Sequence, residues 1–449
     1  MIIYNTLVTT GAFANFRRWI VAQATADIRV QAILLAWALG ALLEGLVGFG
    51  YPWAVIAPIL VGLGVVELDA IRVAAIANNA PVSFGALGAP IIALATVTKV
   101  PILELSASIG RIVAILALLP PWILIYLVAG RRGLRGAWPL AVVGSLSYIL
   151  GQYPTSQWLG PYLPDIIGAI TSFGCILLLL RFWRPPETLG FGGVPIDPAA
   201  RAEDEDVVTT REAMHGLVPF LILIAVVVAA TGPWSHLSNY NFVKPTVDAV
   251  SSLSGKAASV SWAFAPAIAG TWILVSWIII AAVLRVTPAQ LADVFRTTFK
   301  QMWGALLVAP IIFGLADVFN YSGMANTMAH GFAQIGPTFL ILAPIVGWIG
   351  VALSGSNTST NALFGGFQYS IGGLLHMPAL LLPSLNSVGA EIGKPVAPQT
   401  ASVGVSTSEF VRKEGQVIRH NLPWTLVLLA YLILIALFYR GVLPAAMQP

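Results

Sequence analysis

Long apolar runs recur along most of the chain and are separated by short polar breaks. Residues 214–230, 262–284, 335–353 and 423–439 are clear examples. Each run approaches the ~20 residues that a helix needs to cross a bilayer core of about 30 Å. Lipid offers no partners to backbone polar groups, so these runs predict membrane-spanning helices rather than open strands. The pattern therefore predicts an all-α, polytopic integral membrane protein.

Composition agrees with this class. Only 9% of the 449 residues are charged and 57% are hydrophobic, whereas a soluble domain has about a quarter of its residues charged. The single cysteine, Cys175, excludes an internal disulfide framework. The net charge of +4 comes from basic loops and does not indicate nucleic-acid binding. No cofactor is predicted, and no metal site either, because no metal-ligand spacing surrounds His330 or His376.

Basic residues cluster in a few loops, and such clusters mark the cytoplasmic side of a membrane protein. Between two clusters, the apolar runs 138–153 and 166–180 predict one helical hairpin with a proline-rich turn. The polar stretch 184–212 predicts a cytoplasmic linker, and 234–256 an external loop. The basic residues that we place in the cytoplasm are Arg17, Arg18, Arg131, Arg132, Arg135, Arg181, Arg184, Arg285, Arg296, Lys300, Arg412, Lys413 and Arg419.

A weak internal repeat suggests two related halves. Residues 33–50 align with 343–360, and residues 78–90 align with 386–398. In the first of these pairs, both segments run from an apolar helix into an abrupt break of small and polar residues. Arginines precede the first copy, whereas 321–336 contains no Lys or Arg. This opposite charge bias predicts inverted repeats, a known transporter pattern with the binding site between the halves. A chance similarity is the alternative.

The repeat divides the chain into three predicted parts. Residues 1–135 form a first repeat, 136–213 a helical hairpin with the cytoplasmic linker, and 214–449 the second repeat. The second repeat has helices before its motif that lack a counterpart in the first. We therefore expect the first repeat to be incomplete at its N-terminal side, through natural shortening, a late start codon or fragmentation.

Four segments place Gly, Pro, Ser, Thr and Asn at membrane depth: residues 44–52, 78–90, 354–361 and 386–403. Irregular backbone is tolerated there only when it is buried in protein or lines a cavity. The segments predict re-entrant hairpins and broken helices around a hydrophilic site. Close helix packing through small residues is the alternative explanation. The predicted backbone breaks are at Gly45, Gly48, Gly50, Gly85, Gly355 and Gly393.

Such a site suits a small carboxylate. Helix N-termini carry free N–H groups and partial positive charge, and nearby hydroxyls can hold a carboxylate and a 2-hydroxyl group. Lys394 is one of few cations in an intramembrane segment, which makes it a candidate binding residue; an ion pair with Glu391 is the alternative. The candidate substrate-binding residues are Asn78, Asn79, Ser83, Ser354, Ser356, Asn357, Thr358, Ser359, Asn361, Asn386, Lys394 and Gln399.

Two carboxyl groups are candidates for proton coupling. Glu44 ends an otherwise uncharged run, and a surrounding of low dielectric favours the neutral form of a carboxyl group. It could therefore pick up a proton that enters with the substrate. Asp317 is the second candidate, although it lies near the predicted aqueous boundary. A structural, hydrogen-bonded carboxyl is the alternative for Glu44.

The spaced motifs LLEGLVGFGYPWAV, NNAPVSFGALGAPI, YSGMAN, LSGSNTSTNALFGGFQ and IGKPVAPQ resemble the L-lactate permease family, which includes glycolate and lactate importers. Family members often carry Asp at the position of Asn357. The resemblance implies paired re-entrant hairpins, an elevator motion and a homodimer. The positions that match the family pattern are Glu44, Gly45, Gly48, Phe49, Gly50, Asn78, Ala80, Pro81, Phe84, Gly85, Gly355, Ser356, Thr358, Asn361, Gly393, Lys394, Pro398 and Gln399.

The resemblance and the residues together predict a secondary active transporter in the cell membrane. It would import L-lactate and related small 2-hydroxy monocarboxylates with protons. A sodium-coupled carrier of another organic anion is the alternative within the same class. A membrane enzyme acting on lipid-linked substrates and a non-transporting scaffold or channel subunit are the alternatives from other classes. The sequence lacks a Gly-Lys-Ser/Thr nucleotide-binding loop, which argues against ATP-driven transport.

Overall fold

The computed structural model describes residues 1–23, 25–48, 50–196, 210–231, 234–235, 246–250, 257–261, 266–406, 408–410 and 412–449. Within these ranges the chain is almost entirely helical. In chain order the α-helices are α1 Ile2–Thr9, α2 Ala12–Gln23, α3 Ile28–Gln31, α4 Gly40–Leu46, α5 Tyr51–Gly62, α6 Glu67–Ala77, α7 Gly85–Thr98, α8 Ile102–Leu116, α9 Pro120–Trp158, α10 Pro164–Phe182, α11 Thr210–Thr231, α12 Ala269–Val283, α13 Pro288–Tyr321, α14 Met324–Ala333, α15 Phe339–Ser354, α16 Asn357–Leu374, α17 Leu381–Gly393, α18 Pro398–Gly404 and α19 Glu414–Gly441.

Shorter elements connect these helices. A π-helical stretch, Ala32–Leu39, joins α3 to α4. Two short strands, β1 (Thr246–Val250) and β2 (Ala257–Ser261), pair antiparallel, with Thr246 opposite Ser261. The 3₁₀ segments are Val82–Phe84, Phe191–Gly193, Gly336–Thr338, Lys394–Val396 and Pro444–Met447.

The chain forms two compact units. The first consists of Met1–Trp19 and Val208–Gly331. Here α1 packs on α12 and α13, and Trp277 donates a hydrogen bond from Nε1 to Thr6 Oγ1 (2.9 Å). The second unit consists of Ile20–Val207 and Phe332–Pro449. The large buried side chains Trp37, Trp53 and Phe367 belong to it. All four polar segments that the sequence singled out fall within this second unit.

Several helices are long and apolar enough to cross a membrane. Within the described ranges there are six, and the bent pair Glu67–Ala77 and Val82–Thr98, which meets at 67°, would make a seventh. The predicted all-α, polytopic class is therefore confirmed. The six helical stretches are Ile28–Leu46, Ile102–Trp158, Pro164–Phe182, Met214–Thr231, Gly336–Ser354 and Glu414–Gly441.

The predicted apolar runs correspond to these helices with shifted ends. Helix α12 begins at Ala269, and residues 262–265 of the predicted run lie outside the described ranges. Helix α19 begins at Glu414, well before residue 423, and carries Pro423 in its interior. Proline is tolerated in membrane helices because neighbouring groups satisfy the freed carbonyl.

The predicted helical hairpin is formed by α9 and α10, which pack along each other. The turn between them spans residues 159–163, and Pro164 begins α10. Helix α9 leaves helical geometry at Gly130 and Ala137, so it consists of shorter straight pieces. The acidic run 203–206 of the predicted cytoplasmic linker and most of the predicted external loop lie outside the described residues.

Candidate functional site

The first and third polar segments each interrupt a pair of helices. Helix α4 ends at Leu46, and α5 begins at Tyr51 after Gly48 and Gly50 adopt φ angles of +69° and +77°. Helix α15 ends at Ser354, and Gly355 turns the chain with φ +69°. Glycine adopts this left-handed backbone without the clash that a Cβ atom causes. Phe49, inside the first break, lies outside the described residues.

The second and fourth segments also break their helices. After α6 ends at Ala77, a turn leads into the 3₁₀ segment Val82–Phe84. Three successive residues then take left-handed angles: Ala86 (φ 48°), Leu87 (φ 58°) and Gly88 (φ 78°). Helix α17 ends at Gly393 and continues as the 3₁₀ segment Lys394–Val396 before α18. All four predicted segments therefore contain irregular backbone.

The four breaks meet at one pocket in the second unit. It encloses about 300 Å³ of space outside the protein atoms, part of it open to solvent. Each break contributes lining residues, so the pocket is formed by both predicted halves. The lining residues are Glu44, Gly48, Val82, Gly85, Ala86, Pro90, Gly355, Ser356, Asn357, Thr358 and Lys394.

A buried ion pair lies at this pocket. The ammonium of Lys394 donates to Glu44 Oε1 at 2.6 Å, and both side chains are almost fully buried. The second oxygen of Glu44, Oε2, accepts a hydrogen bond from Asn78 Nδ2 at 3.0 Å. A Cβ atom at Gly85 would lie 2.6 Å from Glu44 Oε1, so the carboxylate occupies space that only glycine leaves free. The pair joins the first break to the fourth.

The start of α16 brings polar groups to the same pocket. Ser356 caps the helix, with its Oγ accepting a hydrogen bond from the N–H of Ser359 (3.3 Å). The first four N–H groups of any helix lack partners within it and favour an anion. Asn357 is only 3% exposed, yet neither atom of its side-chain amide has a hydrogen-bond partner. Asn357, Ser356 and Thr358 thus offer donors and acceptors to a small polar ligand.

Several predicted binding residues bond to other protein groups instead. Ser83 Oγ lies 3.2 Å from Ser387 Oγ, and Asn361 donates to Ser387 Oγ at 3.0 Å. Asn386 donates to Asn361 Oδ1 at 2.9 Å and accepts from Gln368 at 3.1 Å. This network, which we call the amide–serine chain, consists of Ser83, Ser387, Asn361, Asn386 and Gln368. It fixes α16 and α17 against the second break.

Other predicted site residues lie beside the pocket or away from it. Ser354 Oγ lies 3.0 Å from Thr360 Oγ1 and caps the third break locally. Gln399 is exposed, and its side chain lies over Gly355. Asn79 is fully buried, and both of its amide atoms lack a partner. Asp317 lies on α13 in the first unit, and its side chain is exposed.

Two interpretations from the sequence were wrong. Lys394 pairs with Glu44 and not with Glu391, and it lies where α17 gives way to the 3₁₀ segment Lys394–Val396. Gly45 is not a backbone break: it lies inside α4, where a Cβ atom would come within 2.8 Å of Asp165 Cβ. Its small size permits close packing of α4 on α10. Gly393 similarly allows close approach to Trp348 on α15.

Two buried carboxyls were not among the predicted site residues, although Glu391 was considered as an ion-pair partner of Lys394. Glu391 accepts the N–H of Ser83 at 3.0 Å. Asp165, on α10, accepts the hydroxyl of Tyr148 at 2.9 Å. Asp165 follows the proline-rich turn, where an acidic residue is an ordinary feature of a helix N-terminus. The presence of this acidic residue in an apolar run was the one sequence feature that could have identified it as a buried carboxyl.

A family profile described as L-lactate permease matches residues 1–443. The chain belongs to the L-lactate permease family. In this family, the L-lactate permease of Escherichia coli (strain K12) is 30% identical over 442 residues, covering 95% of this chain and 80% of that protein. The L-lactate permease of Bacillus subtilis (strain 168) is 31% identical, covering 98% and 83%. The glycolate permease GlcA of Escherichia coli (strain K12) is 32% identical, covering 95% and 80%.

The crystal structure of the YdaH transporter from Alcanivorax borkumensis is also similar to the chain. Its TM-score is 0.49 at 17% sequence identity, covering 100% of this chain and 86% of that one. Relatives in the L-lactate permease family are named as permeases. Together with its apolar helices, this makes the chain a multi-pass transporter of the cell membrane and not an enzyme.

Proposed function

We propose that the chain imports L-lactate and related small 2-hydroxy monocarboxylates together with protons. The observation that carries the proposal is the ion pair between Lys394 and Glu44 beside the N-terminus of α16. A cation and free helix N–H groups suit a carboxylate. Relatives named for lactate and for glycolate share this small 2-hydroxy acid class.

A substrate carboxylate would compete with Glu44 for Lys394. If the substrate displaced Glu44, the pocket would hold two carboxylates against one ammonium. An uncompensated buried charge costs several kcal/mol, so Glu44 would accept a proton as the substrate binds. Anion and proton would then move as a neutral pair, and release of the substrate would let the ion pair reform. Through Glu44, the binding of a monocarboxylate would thus be coupled to the binding of a proton.

Asn357 supports the preference for a 2-hydroxy acid. Its amide is buried at the pocket without a partner, and it can both donate to and accept from a hydroxyl group. Ser356 and Thr358 would complete the contacts around the substrate. Because a buried, unsatisfied amide is costly, a substrate that lacks the hydroxyl should bind more weakly.

Transport by the purified protein in liposomes tests the proposal. We expect uptake of labelled lactate when the interior is alkaline, without sodium on either side, and loss of this uptake when a protonophore is added. Glycolate should compete well, propionate poorly and a dicarboxylate hardly at all. Uptake that requires sodium, or that ignores the proton gradient, would favour the sodium-coupled alternative and refute proton coupling.

We also propose that the chain contains two inverted repeats and forms a homodimer. Two matched pairs of helix breaks contribute to one pocket, which supports the division into repeats 1–135 and 214–449 around 136–213. One detail of the alignment differs: Asn78 follows the end of α6, whereas Asn386 lies in the middle of α17. Cysteine labelling of the basic loops from each side of the membrane would test the inverted orientation. Light scattering of the detergent-solubilised protein would test the dimer.

A further inference from the structure

Two buried carboxyls have no cation partner among the described residues. Asp27 pairs with Arg29 at 2.6 Å, and Glu44 pairs with Lys394 at 2.6 Å. The other two buried charged side chains in the described part of the chain, Asp165 and Glu391, are both acidic. The full set of buried charged side chains there is Asp27, Arg29, Glu44, Asp165, Glu391 and Lys394.

Glu391 has little that would stabilise a negative charge. It is fully buried, and Oε2 accepts one hydrogen bond, from the N–H of Ser83. Oε1 has no partner. The charged or titratable groups within electrostatic reach are Lys394, Glu44, Asp165 and Tyr148. Lys394 is already neutralised by Glu44.

Among the described residues of the elements packed against α17, the one buried cation is Lys394. Helices α7 and α15 and the segment Val82–Phe84 contain no titratable side chain. Helix α16 contributes only Tyr369, which is exposed. The titratable residues of the other two neighbours are Glu104 and Arg111 on α8, and Glu414, Arg419, His420, Tyr431, Tyr439 and Arg440 on α19. Among these, Arg111 bonds the carbonyl of Ala446, and His420 bonds Asp69.

Two buried carboxyls without a cation partner require bound protons to remain neutral. If Asp165 and Glu391 were both ionised, three carboxylates would face one ammonium in a region shielded from water. Buried carboxyls without a partner take up a proton instead of holding that charge. A proton on each of Asp165 and Glu391 would remove that excess charge.

We propose that Glu391 is a proton-binding residue of the transport cycle, separate from the Glu44–Lys394 pair. Glu391 contacts the irregular segment Val82–Phe84, whereas Asp165, on α10, bonds to Tyr148 on α9. When that segment moves and admits water, the carboxyl releases its proton to the water and remains as a carboxylate. On the other side of the membrane the carboxylate takes up a proton again. Glu391 thus exchanges its proton, and Asp165 keeps its own.

This inference rests on the proposed proton coupling, and one experiment separates the two. In liposomes, lactate accumulation driven by a pH gradient is compared with lactate–lactate exchange at equal pH. We expect Glu391→Gln to lower the ratio of accumulation to exchange at least tenfold. Asp165→Asn makes the same carboxyl-to-amide change away from the breaks, and Ser384→Ala removes a buried hydroxyl on α17 that pairs with Ser108. Both controls should keep the ratio within about twofold of wild type.

The outcomes are distinct. A wild-type protein that exchanges lactate but does not accumulate it would refute the proposed coupling and this inference together. Coupled wild type with an unaltered ratio in Glu391→Gln, or an equal loss in Asp165→Asn, would refute the inference alone. Infrared spectroscopy provides a second readout that does not depend on transport. The wild type should show a buried carboxylic-acid C=O band that is diminished in Glu391→Gln, and absence of that band in the wild type would also refute the inference.

Discussion

Lys394 bonds to Glu44, which lies 350 positions earlier in the chain, and not to Glu391, which lies three positions earlier. The pairing across the sequence ties the first helix break to the fourth. It also leaves Glu391 without a cation. The pocket therefore contains one carboxylate, Glu44, that Lys394 neutralises. Nearby lies Glu391, a carboxyl that a proton would have to neutralise. Four predictions follow from this geometry and from the breaks around it.

Glu44→Gln should remove the dependence of lactate uptake on external pH. Glutamine keeps one acceptor oxygen for Lys394, but its amide nitrogen cannot accept from Asn78 Nδ2, and it cannot bind or release a proton. We expect gradient-driven uptake to fall at least tenfold, as measured with labelled lactate in liposomes. The matched control is Glu104→Gln, a partly exposed glutamate on α8, which should retain wild-type uptake. Coupled uptake unchanged by Glu44→Gln would remove Glu44 from the mechanism.

Lys394→Met should destabilise the protein because it leaves Glu44 buried without a cation, with only the hydrogen bond from Asn78 remaining. Removing one member of a buried ion pair costs about 3–5 kcal/mol, whereas replacing both members costs much less. The double variant Glu44→Gln/Lys394→Met should therefore unfold at a higher temperature than Lys394→Met alone. Thermal unfolding in detergent measures this difference. Lys413→Ala, an exposed lysine, is the control, and equal unfolding temperatures for the single and double variants would contradict the pairing.

Asn357→Ala should weaken the preference for lactate over propionate. Losing a hydrogen bond between buried polar groups costs about 1–3 kcal/mol, so we expect the ratio of their inhibition constants to fall about tenfold. Competition against labelled lactate uptake measures both constants. Gln416→Ala, exposed on α19, should keep the wild-type ratio. If Asn357→Ala weakens both acids equally, the amide does not recognise the hydroxyl.

Gly355→Ala should impair folding more than an alanine elsewhere in the same region. Gly355 has φ +69°, and an added Cβ atom would overlap the side chain of Gln399. Such strain costs on the order of 1–3 kcal/mol. Gly373→Ala is the matched control, because nothing lies near its Cβ position in α16 and alanine favours a helix. Equal yields of folded protein for the two variants, by size-exclusion chromatography, would show that the third break is not constrained.

The sequence predicted the membrane class and the four irregular segments because both depend on local composition. Apolar runs give spanning helices, and Gly, Pro and Asn at membrane depth give breaks. The structure places Glu44, Lys394 and Asn357 at one pocket, and their roles in binding and coupling stay predictions. Their grouping around one pocket follows from helix packing.

The pairings could not be predicted in the same way. Helical periodicity places Glu391 near Lys394. No local sequence pattern indicates that Lys394 pairs with Glu44 instead. Asp165 resembled an ordinary acidic residue at a helix start. The amides of Asn361 and Asn386 looked like ligand groups, but the amide–serine chain uses them within the protein. A side chain's partner depends on the tertiary arrangement, which a single sequence does not specify.

The left-handed run at residues 86–88 has a mechanical consequence. A left-handed conformation costs roughly 1–2 kcal/mol for each residue that carries a Cβ atom, and Ala86 and Leu87 both adopt it. The turn is therefore strained, and the packing around it maintains this strained conformation. If Ala86 and Leu87 return to right-handed geometry when the pocket opens, the energy released would help drive the opening. Ala86→Gly would remove the strain at one of these two residues. It would therefore shift the conformational equilibrium of the carrier towards the form described here.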